Sequence, residues 1–300
     1  MRLVLISALM MAAATASFAQ PAPVALGLTK AFSPGVIGFA GTSTVTFTVT
    51  NPNPVAATNV AFSDLFPELV VANPPNLQTN CAGSTVIGAN PHSGSVSFNI
   101  PSLAASATCF FSLNINVSPN LTSSATVTFT NVTSTITADA LPVGAAATGI
   151  LIAVQPPKVT KVFDQSQLQL LGPGNTANLI FTITNPNTVT LDDIAFTDTI
   201  PSGLTLTSID FPDFPACQPG NFAFNFTAGS IKVTGLTLPP SVPCVFTALV
   251  TAAALGEQDN TTSPITALGG TLSGPPATAS VSVVDLFFNW FFAESGGGHP

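Results

Sequence analysis

Between residues 25 and 285 the chain is written in short runs in which apolar and polar residues alternate, broken by Gly, Pro, Asn and Asp. In one such run Val45, Phe47 and Val49 fall on one side while Thr44, Thr46 and Thr48 fall on the other, because successive side chains of a strand point to opposite faces. The apolar side predicts contact with a core and the threonine side contact with water. Asn51-Pro52-Asn53 ends the run, since proline has no N–H for a ladder bond and asparagine favours turns. Many short strands of this kind, punctuated by turn residues, predict an all-β sandwich.

The pattern occurs twice, with an offset of about 130 residues. Leu28-Thr29-Lys30-Ala31-Phe32 returns as Val159-Thr160-Lys161-Val162-Phe163, and Thr46 to Asn53 returns as Ile180 to Asn187. Val60-Ala61-Phe62-Ser63-Asp64 returns as Ile194-Ala195-Phe196-Thr197-Asp198, with a proline three residues later in both, and Cys81 and Cys109 return as Cys217 and Cys244. The expected organisation is residues 22–155 as repeat 1 and 156–285 as repeat 2. Gln155-Pro156-Pro157 would form a short, semi-rigid joint that sets the repeats end to end.

The Leu28–Pro34 run, the Thr-Asn-Pro-Asn turn, the Phe-x-Asp stretch before proline and the late cysteine pair together resemble the repeat domains of unknown function that large bacterial surface proteins carry in arrays. The resemblance covers roughly residues 25–285. It implies two tandem immunoglobulin-like β-sandwich domains used as a stalk or adhesive spacer, without an enzymatic site. Repeat 2 departs from it after Phe163, where Asp164-Gln165-Ser166 replaces Ser33-Pro34-Gly35.

Composition narrows the setting. Charged residues are 6% and apolar residues 46% of the chain; disordered chains are strongly charged and poorly apolar, so two ordinary cores are expected. The polar surface must come from Thr, Ser and Asn. A net charge of −8 with five basic residues leaves no basic patch for phosphates and excludes nucleic acid as a partner. Residues 1–19, with Arg2, an apolar run from Leu3 to Ala14 and Ser17-Phe18-Ala19, read as a cleaved signal peptide, because the apolar run is too short to span a bilayer. Export to the extracellular space, cell surface or periplasm follows, with no transmembrane helix expected.

In an oxidising compartment four cysteines argue for disulfides, and one bridge per repeat, Cys81–Cys109 and Cys217–Cys244, is the simplest of three connectivities. A zinc site would want closely spaced Cys and His pairs, which the chain lacks. The alternation also turns ionisable residues inward. Leu28, Lys30 and Phe32 share a face, as do Val159, Lys161 and Phe163; Val60, Phe62 and Asp64; Ile194, Phe196 and Asp198; and Val127, Phe129 and Asn131. A buried lysine or carboxylate is costly unless paired or neutral, so these residues are expected to meet. One arrangement is a buried salt bridge. The other is an isopeptide bond, in which neutral lysine attacks the asparagine side-chain carbonyl beside a protonated aspartate. The triads Lys30, Asp64, Asn131 and Lys161, Asp198, Asn260 resemble those of cross-linked Gram-positive pilins and adhesins. The run from Gln258 to Thr262 lacks apolar alternation, which leaves Asp259 as an alternative to Asn260. A third reading has each aspartate capping its turn and each lysine reaching to water.

Catalytic chemistry has no footing. His92 sits in an Asn-Pro-His-Ser-Gly turn and His299 beside the last residue, neither placed as a base held by a third group. Asp192-Asp193 and Asp210 with Asp213 lack the spacing of a calcium loop, so no metal or cofactor is expected. Residues 286–300 hold Phe287, Phe288, Trp290, Phe291 and Phe292 ahead of a glycine-rich end. This segment either packs back on the last strand or serves attachment, by strand addition or by contact with a membrane or polymer. The expected function is a non-enzymatic structural or adhesive one. Its partner would be a cell-surface or extracellular-matrix component or a second copy of the chain. A fibre subunit joined through the aromatic segment and a carbohydrate-binding module are the alternatives, the latter disfavoured by one tryptophan and no tyrosine.

Overall fold

The computed structural model describes residues 22–211, 223–227 and 229–285. Residues 1–19, expected to form a signal peptide, Cys217 and the aromatic segment from Phe287 to Phe292 lie outside the described residues. The chain is all-β, two tandem immunoglobulin-like sandwiches. Repeat 1 runs through β1 (Gly27–Ser33), β2 (Val36–Gly38), β3 (Thr42–Thr50), β4 (Ala57–Leu65), β5 (Leu69–Val71), β6 (Gln78–Thr79), β7 (Thr85–Ile87), β8 (Ser95–Leu103), β9 (Thr108–Val117), β10 (Val127–Val132) and β11 (Thr148–Val154). Repeat 2 runs through β12 (Lys158–Phe163), β13 (Gln167–Gln169), β14 (Thr176–Thr184), β15 (Leu191–Thr199), β16 (Leu204–Asp210), β17 (Ala223–Thr227), β18 (Ser230–Leu238), β19 (Cys244–Ala252), β20 (Gly256–Thr261), β21 (Ile265–Ala267), β22 (Leu272–Gly274) and β23 (Thr278–Val284).

In repeat 1 one sheet has the order β1-β3-β9-β5, faced by β4-β8-β7 and by β10-β11-β2. Repeat 2 repeats the plan with β12-β14-β19-β16, β17-β18-β15-β21-β22 and β13-β23-β20. The closing strand of each repeat pairs in parallel with the short strand after the first turn, Ile152 opposite Val36 and Ser282 opposite Gln167. Along β3 and β14 every second residue is buried, as the alternation requires. The core of repeat 1 centres on Phe47, Phe62, Phe98 and Phe111, with Phe62 and Phe98 stacked at 4.6 Å. In repeat 2 Phe181 and Phe246 stack at 4.6 Å. Asn59 and Asp193 take left-handed backbone angles of 49° and 56° within β4 and β15, a conformation these two residue types tolerate better than most.

The Asn-Pro-Asn turns do more than end a strand. Asn51 and Asn185 are buried, and their amide groups donate to carbonyls on the far side of the turn, at Val55 and Leu103 for one and at Val189 and Leu238 for the other. Asn53 and Asn187 hold the chain entering the repeat by both backbone groups. Val24 N–H donates to Asn53 Oδ1 at 2.8 Å and Asn53 Nδ2 returns a bond to Val24 O at 2.8 Å. Gln155 N–H donates to Asn187 Oδ1 at 2.7 Å, and Asn187 Nδ2 donates to Gln155 O at 2.9 Å. Gln155 lies between β11 and β12, so this clasp ties the link between the two sandwiches. Thr126 Oγ1 reinforces it by donating to Asn187 Oδ1 and accepting from Thr188 N–H. Gly38 also lies at the joint, where a β-carbon would come within 2.7 Å of Leu272 Cδ1. Replacing Asn187 by Ala leaves both Gln155 backbone groups without protein partners. An unmet backbone group costs about 1–3 kcal/mol when fully buried; Gln155 is half-buried, so Asn187→Ala should lower stability toward the low end of that range and speed exchange of the Gln155 amide proton, which hydrogen-exchange mass spectrometry reads directly.

Candidate functional site: two buried Lys-Asp-Asn triads

Lys30 lies on β1 opposite Phe47 of β3, and Asn131 lies on β10 opposite Gly149 of β11. Asp64 stands one residue before the end of β4 and bridges Thr133 through the backbone. Sequence positions up to 101 residues apart thereby meet inside the sandwich. Lys30 Nζ donates to Asp64 Oδ2 at 2.5 Å and to Asn131 Oδ1. Asn131 Nδ2 donates to Asp64 Oδ1 at 3.1 Å and to the Leu65 carbonyl at 2.6 Å. Neither the Lys30 nor the Asp64 side chain retains any solvent exposure. The rings of Phe32, Phe47 and Phe66 wall the amine at 5.4, 5.4 and 5.7 Å. Gly149 makes room for it, since a β-carbon there would press within 3.2 Å of Lys30 Cγ.

Repeat 2 builds the same site. Lys161 on β12 donates to Asp198 Oδ1 at 2.7 Å and to Asn260 Oδ1 at 2.6 Å. Asn260 Nδ2 donates to the Thr199 carbonyl at 2.8 Å, the counterpart of Leu65. Here too the Lys and Asp side chains are fully enclosed. Along β20 the buried residues are Gln258 and Asn260. Asp259, the alternative third member, points outward and accepts a bond from Ser280 Oγ at 2.7 Å.

Burial dominates the electrostatics. Loss of water pushes the Lys30 and Lys161 amines below the usual lysine range, against the pull of their aspartate partners. The same loss pushes the Asp64 carboxyl above the usual carboxylate range, against the pull of Lys30 and Asn131. Both displacements favour an uncharged pair, lysine as amine and aspartate as acid. A neutral amine in contact with an amide group and beside a carboxylic acid is a nucleophile, an electrophile and a proton carrier in one enclosed pocket.

Cys81 and Cys109 are joined by a disulfide spanning 28 residues; closing a loop of that length is worth about 3–4 kcal/mol on the chain-entropy account. Cys244 is disulfide-bonded, and its expected partner, Cys217, lies outside the described residues. His92 occupies a left-handed turn position, and Asp192 accepts from Thr237 Oγ1 at 3.0 Å. Among the described residues no group of His, Cys, Asp or Glu could hold a metal ion, and no helix is long and apolar enough to cross a membrane. The backbone carbonyls of Leu65 and Thr199 escape sequence reading, because every residue has one and nothing marks which will face the asparagine. Gly149 does carry a signal: a glycine inside an otherwise apolar strand marks a close approach.

Two segments, residues 27–152 and 157–283, match the model of a family described as a domain of unknown function, DUF7933. No curated protein matches the chain. Among solved structures the chain is similar to the C-terminal domain of the Streptococcus agalactiae antigen I/II polypeptide BspA, at 10% identity over 86% of this chain and 99% of that one, with a TM-score of 0.48. It is similar to the C-terminal domain of the Streptococcus pyogenes antigen I/II-family protein AspA at 9% identity, 85% and 99% coverage and a TM-score of 0.47. A cohesin module from a Clostridium perfringens family 33 glycoside hydrolase aligns with 44% of this chain and 99% of its own length at 11% identity and a TM-score of 0.34.

Proposed function

The chain belongs to the DUF7933 family, in two tandem copies, and from that premise we propose that it is an exported, non-enzymatic structural protein of the cell exterior whose sandwiches act as stalk-like spacers. Each spacer is locked by an intramolecular isopeptide bond, Lys30 to Asn131 and Lys161 to Asn260, and by a disulfide. A surface or matrix component is the partner the stalk would present or hold. One observation carries the reading: in both repeats an enclosed lysine amine contacts an asparagine amide oxygen and an aspartate carboxyl together. In both repeats the third residue at the amine is an asparagine, whose side-chain carbonyl carbon is the electrophile that such a bond requires.

The reaction is redox-neutral. Lysine Nζ adds to asparagine Cγ, the Cγ–Nδ2 bond breaks, and Nδ2 leaves as ammonia while Cγ keeps Oδ1. One proton passes from Nζ through the aspartate to the departing nitrogen, so the aspartate is unchanged. Intact mass of the exported chain tests this. The mass is expected to fall short of the disulfide-bonded chain by two ammonia molecules, and a mass accounted for by disulfides alone removes the cross-links. The rate has a further signature in pH. Amine plus acid holds as many protons as ammonium plus carboxylate, so the reactive population is constant between the two pKa values of the pair. It falls in acid, where both groups are protonated, and in base, where neither is. Because burial lowers Lys30 and raises Asp64, the plateau of the repeat 1 pair should be narrower than the roughly pH 4 to 10 interval of isolated groups. Ammonia release from freshly translated chain, followed across pH, should therefore give a narrowed bell.

A further inference from the structure

The two triads differ in one respect that bears on how they react. Asp64 uses both oxygens, Oδ2 receiving the Lys30 amine and Oδ1 receiving the Asn131 amide nitrogen. Asp198 uses one: Oδ1 receives the Lys161 amine, and Oδ2 is buried without a hydrogen-bond partner. The amide nitrogen of Asn260 is held by the Thr199 carbonyl, a group that has no proton to give. Resting on the cross-link reading above, we propose that the repeats close in sequence, repeat 1 well ahead of repeat 2, because Asp64 touches both nitrogens that exchange a proton while Asp198 touches only the attacking one.

The chemistry demands the bridge. Attack of the neutral amine on Cγ leaves Nζ protonated and an oxyanion on the asparagine oxygen. The Asp64 acid gives its proton to Nδ2 from Oδ1, and Oδ2 then takes the proton that Nζ sheds, so that the Cγ–Nδ2 bond breaks, ammonia leaves and the carboxyl is an acid again. One oxygen gives a proton and the other takes one, with no movement of the side chain. In repeat 2 the transfer from Nζ is available and the one to Nδ2 is not. Asp198 must first bring its unpartnered Oδ2 to Nδ2, a rearrangement within a packed interior. Asp198 and Asp64 are catalytic residues alike, differing in reach. A newly made chain would then carry a locked first sandwich and a second one that is folded but still open.

Positioned proton transfer contributes on the order of 10²–10⁴-fold to such steps, so closure of repeat 2 should lag by about 10²-fold. The unmodified full-length chain, translated cell-free, is sampled over time, proteolysed, and its Lys30–Asn131 and Lys161–Asn260 linked peptides are quantified separately by mass spectrometry. Amide protection of β10 and β20 is followed on the same samples. The expected result is early saturation of the first peptide pair and slow growth of the second after both strands are protected. Equal rates, or repeat 2 closing first, overturn the proposal and leave the cross-link reading intact; so does a lag matched by late protection of β20, which would make it a matter of folding. Absence of both linked peptides overturns the cross-link reading and this inference with it.

Discussion

Pulled from its two ends, the native chain should lengthen by only the residues outside the two cross-links, and Asn131→Ala, with its disulfide intact, should release roughly 24–26 nm more. The argument is topological. Lys30 lies on the first strand of repeat 1 and Asn131 on its penultimate strand, 101 residues apart. A bond between them carries tension from β1 to β10, and β10 passes it through its pairing with β11 to the joint. The intervening residues bear no load, and those outside the disulfide loop, at about 3.3–3.6 Å per extended residue, account for the length released while the disulfide is intact. The disulfide sharpens the test. Cys81 and Cys109 sit inside the shielded segment and are 28 residues apart. Reduction should leave the extension of the native chain unchanged, yet add roughly 9–10 nm to Asn131→Ala, where the segment is exposed to force. Single-molecule force spectroscopy with and without reductant makes the comparison, and a native chain that extends to its full contour length would dismiss the cross-links as mechanical elements. On this view the disulfide serves folding stability and not tensile strength.

Asp64→Ala should be the most damaging single substitution in repeat 1. It stops closure and strands the Lys30 amine in an enclosed site with Asn131 Oδ1 as its remaining polar contact. Removing one member of a buried ion pair costs about 3–5 kcal/mol, a large share of the 5–15 kcal/mol that holds a typical domain. Asn131→Ala also stops closure but leaves lysine and aspartate paired, so it should cost less. Lys30→Met with Asp64→Leu, which replaces the pair by apolar side chains, should regain most of the stability lost in Asp64→Ala, because no amine is then buried without its partner. Urea unfolding of the three chains orders them. If Asp64→Ala and Asn131→Ala were equally stable, burial of the amine would not be what makes the aspartate necessary.

How far the site could be read beforehand depended on which residue was in question. Lys30, Lys161, Asp64, Asp198 and Asn131 each lie in a run whose alternation says which way the side chain points, and that is a local property of an extended backbone. Asn260 had no such guide. Its neighbours on the same face include Gln258, a buried polar residue, so alternation of apolar and polar residues could not separate Asn260 from Asp259. The pairing of β20 with β23, which sets Asn260 opposite Ala279, made the choice. The Asn-Pro-Asn turns were readable as turns, but not as the clasps that seat Val24 and Gln155, since the bound groups are backbone and leave no trace in residue identity.

The sequence by itself therefore determined the class of fold, the duplication and the inward direction of most of the unusual polar residues. All three follow from periodicity and self-similarity along the chain. Only the tertiary structure decided which of those residues touch. That Asp64 spans both nitrogens while Asp198 leaves one oxygen unpartnered depends on how strands from opposite sheets are brought together over about a hundred residues of chain. Alternation reports the face on which a side chain lies, while the angle at which two faces meet is set by packing of the whole sandwich, and at that level two closely similar runs of sequence can end in sites of different reach.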